Sequence, residues 1–426
     1  MILLVLTVVF AGSVVVGIPV AFALGVTSFV VLVIHPALRL SLIVERALSG
    51  VDSFTLLAVP LFIVAGALMD TGGISHRLVR LARALVGHVR GGLGMGVVVS
   101  EMFFSGISGS TLADVSAMSA MMLPAMRRSG YPAPYSVAII AAASAMGILI
   151  PPCILMVVLA GIANVSVAAL FIAGVVPAMV LALVIMAMLF YQARRYQLPS
   201  EGRASLRELG NALIDALIPL GMPVIIFGGI LSGATTPTEA AGVAVLYAFA
   251  VGVFVYREVR IADLPRILAD SAVISGSVLL LVALATIFSY LLAVEHVPES
   301  AAKVMVSVSF APWVFLILAN LIFVLGGAVL EGLPAALIFV PILLPVVDKL
   351  GINVLHFLTL VVASVGIGLF LPPIGAGLVT GCTIGKVSMQ EVFKPMVTFL
   401  VVLSVGMVVL TLVPWFTTVL PEVLLR

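Results

Sequence analysis

Apolar blocks and short polar islands alternate along the whole chain. Blocks such as 171–191 and 396–413 approach the ~20 residues a helix needs to cross a bilayer core of roughly 30 Å. They lack the ten-residue in–out alternation of a membrane β-barrel. The pattern predicts an all-α polytopic membrane protein. Crossings are expected near 1–16, 20–34, 54–70, 134–163, 166–193, 212–231, 240–256, 269–293, 354–384 and 395–418, ten in all with both ends outside. Gly17-Ile18-Pro19 reads as a turn between two helices or as a kink in one.

One polar island breaks the rhythm. "SGISGSTLAD" (105–114) lies between apolar arms at about 91–104 and 112–126. Arg77, Arg80, Arg83 and Arg90 precede it, and Arg127 and Arg128 follow. Positive residues gather on the cytoplasmic side, so both flanks are placed there. Arms of this length reach only roughly 21–23 Å. The segment 91–126 is therefore predicted to be a re-entrant hairpin with its tip near mid-membrane.

A shift of 221 residues brings Gly106 onto Gly327, Pro124 onto Pro345, Gly130 onto Gly351, and "GILIPP" (147–152) onto "GLFLPP" (368–373). Six of the nine glycines and prolines in 105–152 recur under that shift, more than chance gives with 38 glycines and 24 prolines in 426 residues. A second hairpin is expected at about 311–347, with arms 311–325 and 333–347 around the tip "GGAVLEG" (326–332). Its flanks, with Glu295, Glu299, Lys303, Asp348 and Lys349, show no positive excess. Basic stretches at 194–207 and 257–266 mark cytoplasmic loops before it, and an odd number of crossings then puts this hairpin on the outer side. The chain divides into inverted repeats at 1–200 and 201–426, an organisation common in transporters.

Each repeat carries a proline pair inside an apolar helix, Pro151-Pro152 in 134–163 and Pro372-Pro373 in 354–384. Proline removes a backbone donor and clashes with the preceding turn, so both helices are expected to break. Freed carbonyls must face protein or a cavity rather than lipid, where they suit a cation. The N-terminus of the following half-helix suits a carboxylate. The candidate substrate contacts are Ser108, Gly109, Ser110, Pro151, Pro152, Gly332, Pro372 and Pro373. The candidate cation ligands are Ser105, Gly106, Ser108, Asp114, Gly326, Gly327, Glu331 and Thr380, because hydroxyl and carbonyl oxygens suit a hard ion such as sodium, which takes about five or six of them. An intramembrane carboxylate is a functional candidate; Asp114 also suits the start of the second hairpin arm as a cap. Thr380 and Thr383 could instead bond back to their own helix. "SGATTPTEAAG" (232–242) reads as a capped outer loop, with Thr236, Pro237 and Glu239 in the positions a helix start favours.

Composition narrows the function. The chain is 63% hydrophobic and 9% charged, with mean hydropathy +1.37, which excludes an ordinary soluble domain. A net charge of +2 suggests no nucleic-acid partner; the bilayer is the surrounding. Cys153 and Cys382 lie far apart in apolar segments, so no disulfide framework is implied. The start "MILLVLTVVF" lacks a basic n-region and reads as a retained helix. No polar stretch exceeds about 25 residues, so capture of a solute from water would need a separate polypeptide. Gly106-Ile107-Ser108-Gly109 matches the short Gly-x-Ser-Gly pattern of intramembrane serine proteases. A serine nucleophile needs a base within reach, and His35, His76, His88, His296 and His356 all fall at segment ends or in loops. No enzyme is expected, and two dead-ended hairpins argue against a channel.

"FSGISGSTLADVSAMSAMMLPAMRRSGY" (104–131), "GILIPPCILMVV" (147–158), "GGILSGATTPTEAAGVAVLYAFAVG" (228–252), "LGINVLHF" and "GIGLFLPPIGAGL" (350–378) together resemble the large membrane subunit, DctM type, of tripartite ATP-independent periplasmic (TRAP) transporters. "VDSFTLLAVPLFIVAGALMDTGGISHRLV" (51–79) is also similar, so the resemblance runs along nearly the whole chain. It implies a bacterial inner-membrane permease that takes up a small organic acid, a dicarboxylate or another, on a sodium gradient. It implies two partners, a periplasmic binding protein (DctP type) and a small four-helix membrane subunit (DctQ type). It also implies an elevator mechanism, with Na+ held where each hairpin tip meets a broken helix. Another ion-coupled anion transporter of the same fold is the alternative. Three positions depart from the usual family pattern: Cys153 for serine, Leu159 for tyrosine and Gly377 for asparagine.

Overall fold

A computed structural model of the chain describes residues 2–35, 38–195, 197, 198, 200, 202–307 and 311–425. Ser108 is described by its backbone alone, and its side chain lies outside the described residues. The described residues form helices and no strand. In chain order these are α1 (Ile2–Val15), α2 (Val20–Ile34), α3 (Ser41–Val51), α4 (Ala58–Thr71) and α5 (Ile74–Val86). A first antiparallel pair follows, α6 (Gly92–Ser108) and α7 (Thr111–Arg128), then the half-helices α8 (Ala133–Gly147) and α9 (Ile154–Ala163), and the long α10 (Val167–Arg195). Next come α11 (Leu206–Leu231), α12 (Pro237–Ala250), α13 (Leu264–Val294) and α14 (Val297–Ser307). A second pair, α15 (Pro312–Val329) and α16 (Gly332–Lys349), is followed by the half-helices α17 (Val354–Gly368) and α18 (Ala376–Gly385), then α19 (Met389–Leu412) and α20 (Trp415–Leu424). Hairpin, broken helix and long helix thus occur twice in the same order.

Local chemistry sets the boundaries. Gly17 at φ +89° turns the chain between α1 and α2, so the first apolar stretch is two helices. Thr236 accepts from Glu239 N–H while the Glu239 carboxylate accepts from Thr236 N–H, a reciprocal cap at the helix start the sequence suggested for α12. Ser205 with Glu208 and Ser388 with Glu391 start α11 and α19 in the same way. Each proline pair sits in the non-helical link between two half-helices, and both Pro–Pro bonds are cis.

Helix lengths sort the segments into whole spans and shorter pieces. Among the described residues seven helices are long and apolar enough to cross a membrane, or eight if Ser41–Val51 and Thr55–Thr71, bent by 68°, form one span. The ten expected crossings count each broken helix once; taken singly, α1, α2 and the four half-helices each fall short of ~20 residues. The seven include α15 and α16, the arms of the second hairpin. The expected crossing at 395–418 is two helices separated at Pro414. The short helices α3, α5 and α14 are additional; α5 puts Leu78 and Leu81 inside and Arg80 outward.

The core lies where the two broken helices cross. Nearly every residue of α8 from Ser136 and of α17 from His356 is buried. Gly366 permits the crossing, since a Cβ there would lie 2.4 Å from the Ala145 carbonyl oxygen. The two hairpins pack around this centre by similar contacts. A Cβ on Gly106 would lie 2.9 Å from the Pro151 carbonyl oxygen, and one on Gly327 would lie 2.9 Å from that of Val365.

Candidate solute cavity and ion site

The hairpin tips are tighter than the sequence suggests. Residues 105–108 complete α6, leaving only Gly109 and Ser110 as the link to α7. Gly109 takes φ +64°, a left-handed turn that glycine adopts without strain. Gly326 and Gly327 likewise belong to α15, and the second link is Leu330 with Glu331, the latter at φ +67°. Gly106, Gly326 and Gly327 are therefore helical residues at packed contacts rather than parts of an open loop. Their tips still end a helix, whose last carbonyls have no helical partner.

A cavity of about 490 Å³ lies between the two tips. Its hairpin side is formed by Gly109, Ser110 and Thr111 of the first tip and Glu331, Gly332 and Leu333 of the second, with Cys153 and Ile154 between. Three helices begin on it: α7, α9 and α16. Each turns the positive end of its helix dipole toward the cavity. The opposite wall comes from α4 and α13, with Asp70 and Ser277 among mainly apolar residues. Among the described residues lining the cavity there is no lysine, arginine or histidine. A second cavity of about 420 Å³ follows further along α9, α13 and α16, lined by Ser53, Asn164, Thr286 and Ser289 among others.

Beneath the first tip lies a buried polar knot. Ser105 Oγ donates to Asp114 Oδ2 at 2.6 Å, tying the two arms together. The hydroxyl of Ser144 on α8 donates to Glu101 Oε1. Glu101 and Asp114 are both fully buried. Glu101 Oε2 has no hydrogen-bond partner, and the other charge acting on Glu101 is that of Asp114. Two carboxylates so enclosed repel. An arrangement of this kind suits an added cation, which supplies the missing partner and the missing charge.

The predicted site residues separate into groups. Gly109, Ser110, Glu331 and Gly332 line the cavity. Ser105, Asp114 and Gly106 meet below the first tip. Pro151 and Pro152 are buried, with the Pro152 carbonyl oxygen 3.3 Å from a Cβ placed on Gly109. Pro372 is half-buried and Pro373 exposed, and neither lines the cavity. Thr380 and Thr383 donate to the carbonyls of Ala376 and Val379 within their own helix. Sequence reasoning missed Glu101, Ser144 and Asp70. The available signal for Glu101 was an acid inside an apolar arm. Of the three unusual family positions, Cys153 lines the cavity, Leu159 is buried outside it, and Gly377 makes room for the Phe370 ring. Cys153→Trp would fill part of the cavity and is expected to cut uptake about tenfold while the chain still assembles. Uptake at the wild-type rate would remove the cavity from the solute path.

Paired helical hairpins, broken helices and a cavity between their tips describe a membrane permease rather than an enzyme. The model of the family "Tripartite ATP-independent periplasmic transporter, DctM component" matches residues 7–416, and the chain belongs to that family. An uncharacterized protein of Salmonella typhimurium, YgiK, is 39% identical over 97% of this chain and 95% of its own. The C4-dicarboxylate TRAP transporter large permease protein DctM of Pseudomonas aeruginosa is 38% identical over 87% of each chain. Among solved structures, the Alcanivorax borkumensis YdaH transporter matches with a TM-score of 0.61 at 16% identity, covering 89% of this chain and 88% of its own. At that identity the likeness concerns the fold alone.

Proposed function

We propose that this chain is the permease of a sodium-driven uptake system for a small organic acid in the bacterial inner membrane. The observation that carries the reading is the convergence of three helix N-termini on one cavity. Backbone N–H groups at helix starts hold a carboxylate without a fixed cation. The C4-dicarboxylate relative supports an acid as cargo. Sodium binds under the first tip, where Ser105, Asp114 and Glu101 supply oxygens, and a second ion sits near the Glu331 tip. A cation there neutralises the carboxylate pair and draws both hairpin arms onto α8, which completes the cavity floor. A periplasmic binding protein delivers the solute, and a small membrane subunit supports the α1–α4 and α11–α13 scaffold. The two repeats, 1–200 and 201–426, lie inverted in the bilayer. Their hairpins and broken helices move as one body against the scaffold, elevator fashion, carrying ion and solute together.

The test is uptake into proteoliposomes holding this chain, its small subunit and its binding protein. An inward sodium gradient is expected to drive accumulation, and its collapse should abolish it. Accumulation that persists on a proton gradient alone would replace sodium as the coupling ion.

A further inference from the structure

The two cavities are related by a constant step along three helices. On α13 the first is bordered by Ile274, Ser277, Val278 and Leu281, and the second by Val282, Ala285, Thr286 and Ser289. Each residue of the second set lies eight positions beyond its counterpart in the first. Both sets have the i, i+3, i+4, i+7 spacing of one helix face. Leu333 and Pro341 of α16 differ by the same step, as do Ile154 and Ile162 of α9. The three helices therefore run side by side in one direction, and a step of this size measures about 12 Å along a helix. A slide of the hairpin body by that distance along α13 brings the tips from the first set of residues to the second.

Helix α4 gives the direction. Ile63, Gly66 and Asp70 border the first cavity, and α4 then leads into the basic stretch 75–90, which its charge places in the cytoplasm. Leu56, ahead of α4, borders the second cavity. The tips thus rest at the cytoplasmic end of the track, and the second set of residues lies toward the outside. That outer wall bears hydroxyls. Ser49 and Thr286 donate to the carbonyls of Arg46 and Val282 and keep lone pairs as acceptors, while Ser53 and Ser289 carry hydroxyls able to donate or accept. Among the described residues lining the second cavity there is no charged side chain. At about 420 Å³ it is close in size to the first, at about 490 Å³. We propose, on the elevator reading above, that Ser53 and Ser289 form the scaffold half of the solute site in the outward-facing state. A carboxylate held on the starts of α7, α9 and α16 then presents its remaining polar groups to these hydroxyls before the slide and to the α4 wall after it.

Paired cysteines test the slide, in proteoliposomes holding the full chain and its small subunit, with Cys153→Ser and Cys382→Ser as the background. Mercury(II) is expected to bridge Leu333→Cys to Ser277→Cys, the neighbours across the first cavity. It should also bridge Leu333→Cys to Thr286→Cys or to Ser289→Cys, the partners reached only after the slide, with loss of maleimide labelling in each case. Ser53→Ala and Ser289→Ala test the contact. With the binding protein present, each should slow sodium-driven succinate uptake about threefold or more, the effect of one lost hydrogen bond. Succinate should still stabilise both purified variants against melting as it does the wild type, because their tips rest at the inner wall. Bridging at neither Thr286 nor Ser289, or wild-type uptake by both alanine variants, overturns the proposal and leaves the solute cavity standing. A wild type that takes up no succinate on a sodium gradient and gains no stability from it overturns the solute reading, and the proposal with it.

Discussion

Glu101→Gln is expected to reduce sodium-driven uptake to about a tenth or less of wild type, with apparent sodium affinity falling about tenfold or more. The substitution keeps the hydrogen bond from Ser144 and the side-chain volume, and it removes one of two enclosed carboxylates. Glu101 Oε2 has no protein partner, so the amide leaves the cation with one charged oxygen fewer. The variant has a second signature. Without sodium, enclosing two carboxyl groups side by side costs folding energy, and the amide removes one of them. The sodium-free variant should therefore melt above the sodium-free wild type, and added sodium should raise its melting temperature much less. Uptake with wild-type sodium dependence would take Glu101 out of the ion site. A variant that melts lower without sodium would mean that the carboxylate is a structural partner.

Gly366→Ala is expected to cost about 2–3 kcal/mol of stability, read as a lowered melting temperature. The new Cβ would lie 2.4 Å from the Ala145 carbonyl oxygen and 2.6 Å from Ile148 Cγ2. Both neighbours belong to the fully packed centre, and a backbone carbonyl has little freedom to retreat. Gly161→Ala is the control, because nothing lies within 4 Å of its Cβ position on α9. It should be neutral or stabilising by up to about 1 kcal/mol, the usual gain of alanine over glycine in a helix. Equal melting temperatures for the two variants would show that α8 and α17 separate without penalty.

Much of this architecture is legible in the sequence because glycine and proline act locally. The proline pairs break their helices wherever the surroundings place them, and the shared offset of Gly106 and Gly327 locates both hairpins. The caps at Thr236 and Glu239 are equally local. The tips were harder to read, since Ser105, Gly106 and Gly327 have the composition of a loop. Their place inside helices is set by close contact with Pro151 and Val365, residues 45 and 38 positions away along the chain. Glu101 was hidden for the same reason. Nothing near it in sequence announces Ser144 or Asp114 as neighbours, and only the packing of α6, α7 and α8 brings them together. Helices α3, α5 and α14, of 11 to 13 residues, are shorter than a spanning pattern and leave a weaker trace.

The two cavities follow one another along α13, the first bordered by residues up to Leu281 and the second beginning at Val282. Water reaching each from its own side of the bilayer would leave only a thin insulating layer between them. The transmembrane voltage would then fall across that layer instead of across the full hydrocarbon thickness. An ion displaced by a short distance through it would experience the whole potential, about 2.3 kcal/mol per unit charge for every 100 mV. Small movements of the hairpin body would thereby become sensitive to membrane voltage, with the apolar contacts along α9, α13 and α16 serving as the electrical seal.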